Sequence, residues 1–315
     1  FPVGILPESA AKIRNNFRRL INNQRIHLNI LRESLASVET REFDNKADVD
    51  FSEFIEYAGQ DENTKCLAIY IEGLDSPEAF ISSCKKVDKP IVVIKVGGSK
   101  IGVKAAFAHT ASENPNGDEY YDKVIKDAGA IRVQTWQEFL DVSLALGYMP
   151  PLKGDNVVMI TNGGGAGLLS CDHFERLGMP LHELKDISPM LAQRIRAYMP
   201  MFGSPLNPVD ISGTATVIQY KGAFQQALRD PNVHGVLGAI CPTAVTDVIG
   251  VAKAAIEVYE STKELSKPFI MICQGGEECH EAIKLLREHD IPAYPTAEQA
   301  VNAMVALYKY GKSKK

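Results

Sequence analysis

Ile91-Val-Val-Ile-Lys-Val96 is a short, mostly apolar run rich in β-branched residues, a pattern typical of a buried strand. The turn Gly97-Gly-Ser99 follows it, and then comes Lys104-Ala-Ala-Phe-Ala-His109-Thr-Ala-Ser-Glu113, which carries one imidazole among small residues. In α/β sheets, ligands bind at the carboxyl ends of the strands. The sequence therefore predicts a loop that holds His109 at this edge of a sheet.

A carboxylate is predicted at the same edge. The preceding strand ends in Ala68-Ile-Tyr-Ile-Glu72-Gly73. A carboxylate that accepts a proton from one ring nitrogen fixes the tautomer and makes the other nitrogen the better nucleophile. A single histidine is more often a surface or structural residue, and a single strand-end glutamate is more often a solvated acid. The hypothesis of a catalytic site therefore depends on His109 and Glu72 together.

Helical and extended patterns alternate along most of the chain, first from residue 50 to residue 148 and then from residue 156 to residue 310. Such alternation predicts parallel sheets covered by helices on both faces. The fold class is therefore α/β, with two consecutive flavodoxin-like domains. The stiff stretch Pro150-Pro-Leu-Lys-Gly154 marks the boundary between a domain at 45–150 and a domain at 151–315.

Two local expectations can be tested directly in a structure. A helix predicted from Thr135 to Leu146 carries Trp136 on its apolar stripe, so the single tryptophan is expected in the core. Residues 1–44 are expected to form an atypical helical N-terminal segment, with helices from Ser9 to Leu20 and from about Ile26 to Ser37.

Composition excludes several classes of function. The 315 residues are 45% hydrophobic, enough for two ordinary cores, but no apolar run reaches the ~18 residues of a membrane-spanning helix. A net charge of −5 argues against nucleic-acid binding. Six scattered cysteines without paired spacing predict reduced thiols in a cytoplasmic protein. The histidines show no metal-ligand spacing, so no metal site is predicted.

A glycine-rich turn, Asn162-Gly-Gly-Gly-Ala-Gly167, follows a predicted strand and opens a helix. Free backbone N–H groups at such a helix start attract anions, so Gly163, Gly164 and Gly165 are candidate phosphate-binding residues. No Gly-Lys-Ser/Thr follows, so the turn is not a Walker A loop. The alternative is a tight turn that needs glycine only for backbone freedom.

A second candidate phosphate-binding loop is Cys241-Pro-Thr243-Ala-Val-Thr246, which again joins a predicted strand to a helix, expected from Thr246 to Ser261. The hydroxyls of Thr243 and Thr246 could cap that helix or bind phosphate together with Ala244. Asn207 and Asp210 lie at the entrance of another predicted strand and are interpreted first as turn and packing residues.

The order and spacing of seven motifs resemble the ADP-forming acyl-CoA synthetases, the relatives of succinyl-CoA synthetase. The similarity covers the parts that lie between the CoA-binding domain and the ATP-grasp domain of that family. The motifs are Asn45-Lys-Ala-Asp-Val-Asp50, Tyr70-Ile-Glu72-Gly73, Lys89-Pro-Ile-Val-Val, Ala108-His109-Thr110, Asp127-Ala-Gly-Ala-Ile-Arg132-Val133, Thr161-Asn-Gly-Gly-Gly-Ala-Gly167 and Asn207-Pro-Val-Asp210.

The resemblance implies a phosphoryl relay. It places the family's phosphohistidine on His109 and its orienting glutamate on Glu72, and it points a helix amino terminus of the second domain at that histidine from the Thr243 loop. Phosphate would split an acyl-CoA to an acyl phosphate, and His109 would carry the phosphoryl group to ADP. CoA, acyl-CoA, ADP, ATP, phosphate and Mg²⁺ are then substrates or ions of the complete enzyme, and no cofactor is expected on this chain itself. The implied partners are an ATP-grasp subunit or domain and a CoA-binding domain, in an oligomer.

The sequence departs from the family pattern in residues 1–44 and lacks the Ser-x-Ser-Gly turn that, in the family, opens the helix facing the phosphohistidine. We therefore expect the chain alone to turn over no acyl-CoA. Two alternatives stay open at this point. One is a non-catalytic module of a regulatory or protein-acyltransferase assembly. The other is a flavodoxin-type electron carrier, although the phosphate-loop hydroxyls and paired aromatics of a flavin site are missing after the first strand.

Overall fold

The computed structural model describes residues 50–110 and 117–314, and the side chains of residues 106–110 lie outside its described part. These residues belong to one compact unit that spans 45–315. They form two parallel β-sheets packed with helices, which confirms the predicted α/β class. The helical segment predicted for residues 1–44 lies outside the described residues.

The first sheet has three parallel strands in the order β1-β2-β3. Every residue of its central strand β2 is buried, whereas β1 alternates between buried and exposed residues, as an edge strand does. The apolar core beneath the sheet includes Ile55, Phe80 and Ile125. The elements of this half are α1 (Phe51–Gln60), β1 (Leu67–Ile71), α2 (Pro77–Lys86), β2 (Ile91–Lys95), α3 (Lys100–Thr110), α4 (Asp118–Asp127), β3 (Ile131–Val133) and α5 (Trp136–Tyr148).

The second sheet has five parallel strands in the order β5-β4-β6-β7-β8, the flavodoxin-like order with the first strand of the half in second place. Its elements are β4 (Val157–Thr161), α6 (Gly164–Arg176), α7 (Leu184–Ile187), α8 (Pro189–Arg196), β5 (Val209–Asp210), α9 (Val217–Arg229), β6 (Gly235–Ile240), α10 (Val248–Glu260), β7 (Phe269–Cys273), α11 (Glu277–Glu288), β8 (Ala293–Tyr294) and α12 (Ala297–Ser313).

The chain reverses direction across this second sheet between β4 and β6. From β4 it passes to β5 on one side, and from β5 it crosses back to β6 on the other side. Loops at such a switch point diverge and leave a crevice at the carboxyl ends of the strands, where ligands of open α/β sheets bind. The loops that follow β4 and β6 are the two predicted phosphate-binding loops, so both lie at this switch point.

Helices α5 and α12 connect the two sheets. The two helices pack against each other, and α5 also packs on β1 and β2 while α12 packs on β7 and β8. The buried carboxylate of Asp141 on α5 accepts a hydrogen bond of 2.8 Å from Gln299 on α12. The backbone carbonyl of Asp141 accepts a second hydrogen bond, 2.7 Å long, from the hydroxyl of Tyr294 on β8.

The expectation that Trp136 is a core residue is wrong. The side chain is 49% exposed, although its ring packs on Phe139 at 5.4 Å between centroids. Thr135 forms a capping box with Glu138, so Trp136 is the first residue of α5 and projects from the helix end rather than from its buried middle. None of the helices among the described residues combines the length and the apolar character needed to cross a bilayer.

Candidate functional site

Glu72 lies at the carboxyl edge of the first sheet, directly after β1. The neighbouring strand is held in register at this point, because the backbone N–H of Val96 donates to the carbonyl of Ile71 at 3.0 Å. Glu72 is half-buried, and its Oε1 accepts a hydrogen bond of 3.3 Å from the hydroxyl of Tyr70. Partial burial and the charge of Glu72 both raise the pKa of Tyr70, so this phenol stays a donor near neutral pH.

His109 lies in helix α3, which runs from Lys100 to Thr110, and the predicted loop at this position is wrong. Alanine and lysine residues dominate the stretch before the histidine and favour a helix over a loop. Ser99 supports the helix start, because its hydroxyl accepts the N–H of Gly102 at 3.0 Å. The side chain of His109 lies outside the described residues.

The glycine-rich turn is built as predicted, except that the helix begins within it. Gly163 is the N-cap of α6, and Gly164 is its first residue. The N–H of Gly163 donates to the hydroxyl of Thr161 at 3.0 Å. Gly164 and Gly165 are exposed, and their N–H groups donate to none of the residues in the described ranges. These two amides therefore face outward at the amino end of a thirteen-residue helix.

The loops after β4 and β6 lie against each other. A β-carbon on Gly163 would lie 2.6 Å from Sγ of Cys241, so only glycine allows this approach. The buried side-chain amide of Asn162 bridges the two loops. Its Oδ1 accepts the N–H of Cys241 at 2.8 Å, and its Nδ2 donates to the carbonyl of Cys241 at 2.8 Å and to the hydroxyl of Thr246 at 3.3 Å. Asn162 was part of the predicted motif, but this bridging role was not foreseen.

The predicted start of helix α10 at Thr246 is wrong, and neither Thr243 nor Thr246 caps the helix. The helix begins at Val248, and the carboxylate of Asp247 caps it by accepting the N–H of Gly250 at 2.7 Å. The two threonine hydroxyls lie 2.8 Å apart and order the loop, and that of Thr243 also donates to the carbonyl of Gly213 at 2.9 Å.

Two further polar residues adjoin the second sheet. The side chain of Asn207 donates to the carbonyl of Val157 and accepts the N–H of Met159, which fits the packing role predicted for it. Asp210 has a less expected position, because its Oδ2 lies 3.2 Å from where a β-carbon on Gly164 would be. A carboxylate therefore borders the exposed amides of the glycine-rich turn.

A group of charged residues at the carboxyl edge of the first sheet was not foreseen as a group. Lys95, the last residue of β2, is only 7% exposed and lies 4.4 Å from the ring centroid of Tyr121. The side chain of Arg132 is 8% exposed and pairs with both Asp118 and Asp122. Across residues 50–105 and 117–314, no group of three or more histidine, cysteine, aspartate or glutamate side chains could hold a metal ion.

Comparison with known proteins identifies both halves. A model of the succinyl-CoA ligase-like flavodoxin domain matches residues 32–146, and a model of the ligase-CoA domain matches residues 157–315. The chain belongs to the succinyl-CoA ligase-like family of ADP-forming acyl-CoA synthetases. The first match begins at residue 32, whereas the resemblance was predicted to begin at Asn45.

Relatives within this ADP-forming acyl-CoA synthetase family cover most of the chain. The acetate–CoA ligase [ADP-forming] I subunit alpha of Pyrococcus furiosus is 40% identical over 272 residues, which are 86% of this chain and 58% of the relative. The acetate–CoA ligase [ADP-forming] of Methanocaldococcus jannaschii is 36% identical over 84% of this chain and 38% of the relative.

A solved structure shows the same fold. The dinucleotide-forming acetyl-coenzyme A synthetase 1 of Ca. Korarchaeum cryptofilum, in complex with phosphate and ADP, superposes with a TM-score of 0.80 at 35% identity, over 86% of this chain and 58% of that chain. The chain thus spans little more than half the length of the family members that it matches first.

Proposed function

We propose that this chain is part of an ADP-forming acyl-CoA synthetase, an acid–thiol ligase that interconverts acyl-CoA, ADP and phosphate with the acid, CoA and ATP. The observation that carries the proposal is the 40% identity, over 86% of this chain, to an acetate–CoA ligase [ADP-forming] subunit alpha. That alignment extends over both sheets, so the likeness is not confined to one half of the chain.

The proposed chemistry is a three-step relay. A phosphate oxygen attacks the thioester carbonyl and CoA leaves as the thiol, which gives an acyl phosphate. A ring nitrogen of His109 then attacks phosphorus, and the carboxylate of the acid leaves. Finally, a terminal oxygen of ADP attacks the same phosphorus, which releases His109 and forms ATP. Phosphoryl transfer of this kind depends on positioning and on donors to the phosphate oxygens more than on covalent help from the protein.

Glu72 and His109 are the proposed catalytic residues. A carboxylate on the distal ring nitrogen would keep the attacking nitrogen unprotonated and would stabilise the positive ring that forms on phosphorylation. Glu72 lies at a strand end, is half-buried and accepts a hydrogen bond from Tyr70. These features support the role, because the carboxylate is held in place but stays at the edge of the sheet.

The proposed phosphate donors are the two loops at the switch point of the second sheet. The exposed N–H groups of Gly164 and Gly165, with Gly163 as the N-cap, suit a phosphate group at a helix start. Thr243, Ala244 and Thr246 would contribute from the facing loop. The carboxylates of Asp210 and Asp247 border these loops and would repel a dianion, so we infer that phosphate binds on the outer side of the Gly164 and Gly165 amides.

The remaining groups are assigned to partners of the chain. We infer that an ATP-grasp subunit or domain binds ADP or ATP with Mg²⁺, and that a separate CoA-binding domain holds CoA. The two sheets would act as a phosphohistidine domain at 45–150 and a CoA-ligase domain at 151–315. All six cysteines are free thiols, which supports a reducing compartment such as the cytoplasm.

Phosphohistidine labelling tests the proposal. The complex of this chain with its ATP-grasp partner is incubated with [γ-³²P]ATP and Mg²⁺. We expect an acid-labile, base-stable label on this chain that disappears in His109→Ala and persists in the control His280→Ala, which removes an exposed histidine of α11. Without the ATP-grasp partner we expect no label.

Three results would contradict the proposal. Label that persists in His109→Ala would mean that another residue carries the phosphoryl group. A wild-type complex that never becomes labelled would favour the non-catalytic module over the enzyme. Formation of ATP from acetyl-CoA, phosphate and ADP by the 315-residue chain alone would show that the reaction needs neither the ATP-grasp partner nor the separate CoA-binding domain.

A further inference from the structure

Asp118 joins four parts of the first half at one point. It is the first residue of α4, and its Oδ1 lies 2.5 Å from Nη2 of Arg132 on β3. The same arginine donates to the backbone carbonyl of Asp118 at 3.2 Å. Asp118 is also the main opposite charge near the buried ammonium of Lys95 at the end of β2. We refer to Lys95, Gly98, Asp118 and Arg132 as the Asp118 cluster.

Gly98 completes this cluster by close approach. A β-carbon on Gly98 would lie 2.6 Å from Oδ1 of Asp118 and 3.2 Å from its Cγ. A separation of 2.6 Å essentially never occurs for a real β-carbon, so a larger residue at position 98 would have to displace the carboxylate of Asp118. The adjacent Gly97 has a φ of 76°, which glycine adopts without strain. With Asp118 in place, the turn therefore needs glycine at position 98, and its backbone conformation favours glycine at position 97.

Gly98 and Asp118 lie on either side of the part of the chain that carries His109. Gly98 lies just before helix α3, and Asp118 opens helix α4. Gly98 and Asp118, which contact each other, therefore flank residues 99–117, the part of the chain that includes His109. Of residues 100–105, the described side chains at the start of α3, none is buried. The core therefore holds the start of α3 only weakly. The placement of this helix start depends on the contact between Gly98 and Asp118.

Burial explains why the cluster is a firm attachment point. Arg132 is almost fully enclosed, whereas its partners Asp118 and Asp122 have side chains 48% and 59% exposed. A buried guanidinium needs its carboxylates, because removal of a partner leaves an uncompensated charge. Burial lowers the pKa of Lys95. The negative charges of Asp118 and Glu72 oppose this shift, whereas the positive charge of Arg132 increases it. Lys95 also lies over the ring of Tyr121 on α4.

We propose that the Asp118 cluster positions the segment that carries His109 for phosphoryl transfer, with Asp118 and Arg132 as positioning residues. Neither residue is expected to touch phosphate. Their effect is to fix both ends of residues 99–117, and through them the distance between His109 and Glu72. The inference rests on the proposed phosphohistidine relay, since it assigns the cluster a role in that relay's geometry.

The first test compares phosphohistidine labelling rates in the complex with its ATP-grasp partner. Asp118→Ala and Gly98→Ala should each slow labelling by about tenfold or more, because small misplacements of a reacting group are costly. The double variant Gly98→Ala with Asp118→Ala should be no slower than Asp118→Ala alone, since the new methyl group then enters vacated space. Asp122→Asn is the matched control. Asp122 also pairs with Arg132, at 2.6 Å, but is not the residue that Gly98 approaches, so a change below about threefold is expected.

A second readout does not depend on activity. Hydrogen–deuterium exchange of residues 97–105 should become faster in Asp118→Ala and in Arg132→Lys, while exchange in β4 and β6 stays as in the wild type. Unchanged exchange in those strands shows that the second half of each variant is folded, and unchanged exchange in β1 shows the same for the first half.

The outcomes separate this inference from the proposed function. If the wild type is labelled on His109 but Asp118→Ala and Gly98→Ala label at the wild-type rate, the positioning role is wrong. Multiplicative losses in the double variant would also overturn it, because the two residues would then act independently. If the wild type is not labelled at all, the proposed function fails, and the exchange measurement still decides whether the cluster holds residues 97–105.

Discussion

The hydroxyl of Tyr70 lies 3.3 Å from Oε1 of Glu72, two residues further along the chain. In a strand, residues i and i+2 lie on the same face, so the last exposed position of β1 supports the residue just beyond the strand end. The Tyr-x-Glu spacing therefore lets a tyrosine at the end of the strand restrict one carboxylate oxygen of Glu72.

Tyr70→Phe should slow phosphorylation of His109 by about two- to tenfold, the loss expected for one partly exposed hydrogen bond. The fold should be unchanged, since Tyr70 is 45% exposed. The rate of label incorporation at saturating ATP measures the effect. Tyr57→Phe, which removes the hydroxyl of an exposed tyrosine on α1, serves as the control and should label at the wild-type rate. Equal rates for both variants would mean that Tyr70 does not support Glu72.

Glu72→Gln should slow labelling on the order of a hundredfold, within the range of acid–base contributions in enzymes. Glutamine keeps the size of the side chain and can still accept the bond from Tyr70, but it lacks the negative charge that stabilises an imidazolium. Thermal unfolding should be nearly unchanged. Glu78→Gln on α2 removes an exposed carboxylate of the same half and should have no effect. A Glu72→Gln protein that labels normally would remove Glu72 from the mechanism.

Asn162→Asp should lower the free energy of unfolding by about 1 to 3 kcal/mol, because the two bonds donated by Nδ2 are lost and a carboxylate oxygen faces the carbonyl of Cys241. Urea unfolding measures the change. The exposed Asn232→Asp is the matched control and should remain within about 0.5 kcal/mol of the wild type. A stable Asn162→Asp protein would show that the two loops are held together by other contacts.

Asp141 should make stability depend on pH. Burial raises the pKa of Asp141 above its ordinary value of 3.8, and hydrogen bonds from Gln299 and Gln137 only partly oppose that shift. The folded state then binds the proton more tightly than the unfolded state, so this contribution to stability is complete below about pH 4 and is lost as the pH rises through the folded pKa.

Asp141→Asn removes that titration. The urea midpoint of the wild type should fall more steeply than that of Asp141→Asn between pH 4 and pH 7, while the exposed Asp186→Asn should follow the wild type. Parallel curves for the wild type and Asp141→Asn would mean that Asp141 titrates normally in the folded protein.

Much of the fold follows from patterns that act over a few residues. The alternation of apolar strands and helices predicted both parallel sheets, and the run Ile91–Val96 was correctly assigned to the buried strand that ends at Lys95. The glycine-rich turn was also found from sequence, because a strand followed by several glycines and a helix leaves few other conformations.

The errors come from competition between neighbouring residues. Thr246 and Asp247 both suit an N-cap, and the structure uses Asp247 because the hydroxyl of Thr246 is engaged with Thr243 and Asn162. Trp136 has the spacing of a core residue, yet its place at the helix start brings it to the surface. The alanines before His109 favoured a helix over the loop that the glycines suggested.

The Asp118 cluster and the bridge made by Asn162 could not be found in this way. Gly98 and Asp118 are twenty positions apart in number, and Asn162 and Cys241 are separated by 79 residues. Gly98 and Gly163 are each required because of a side chain, of Asp118 and of Cys241, that only the folded chain brings near. A buried Lys95 at the end of an otherwise apolar strand was the one available signal, since an unpaired charge there would be costly.

The contact between α5 and α12 has a consequence for chimeras. Grafting the second sheet of a relative onto this chain at Pro150-Pro151 would separate Asp141 from its own Gln299 and Tyr294. The linker itself is packed, because the N–H of Leu152 donates to the carbonyl of Leu307 on α12. A functional exchange would have to carry α5 along with the second sheet, so the natural crossover point lies ahead of Thr135 and not at the prolines.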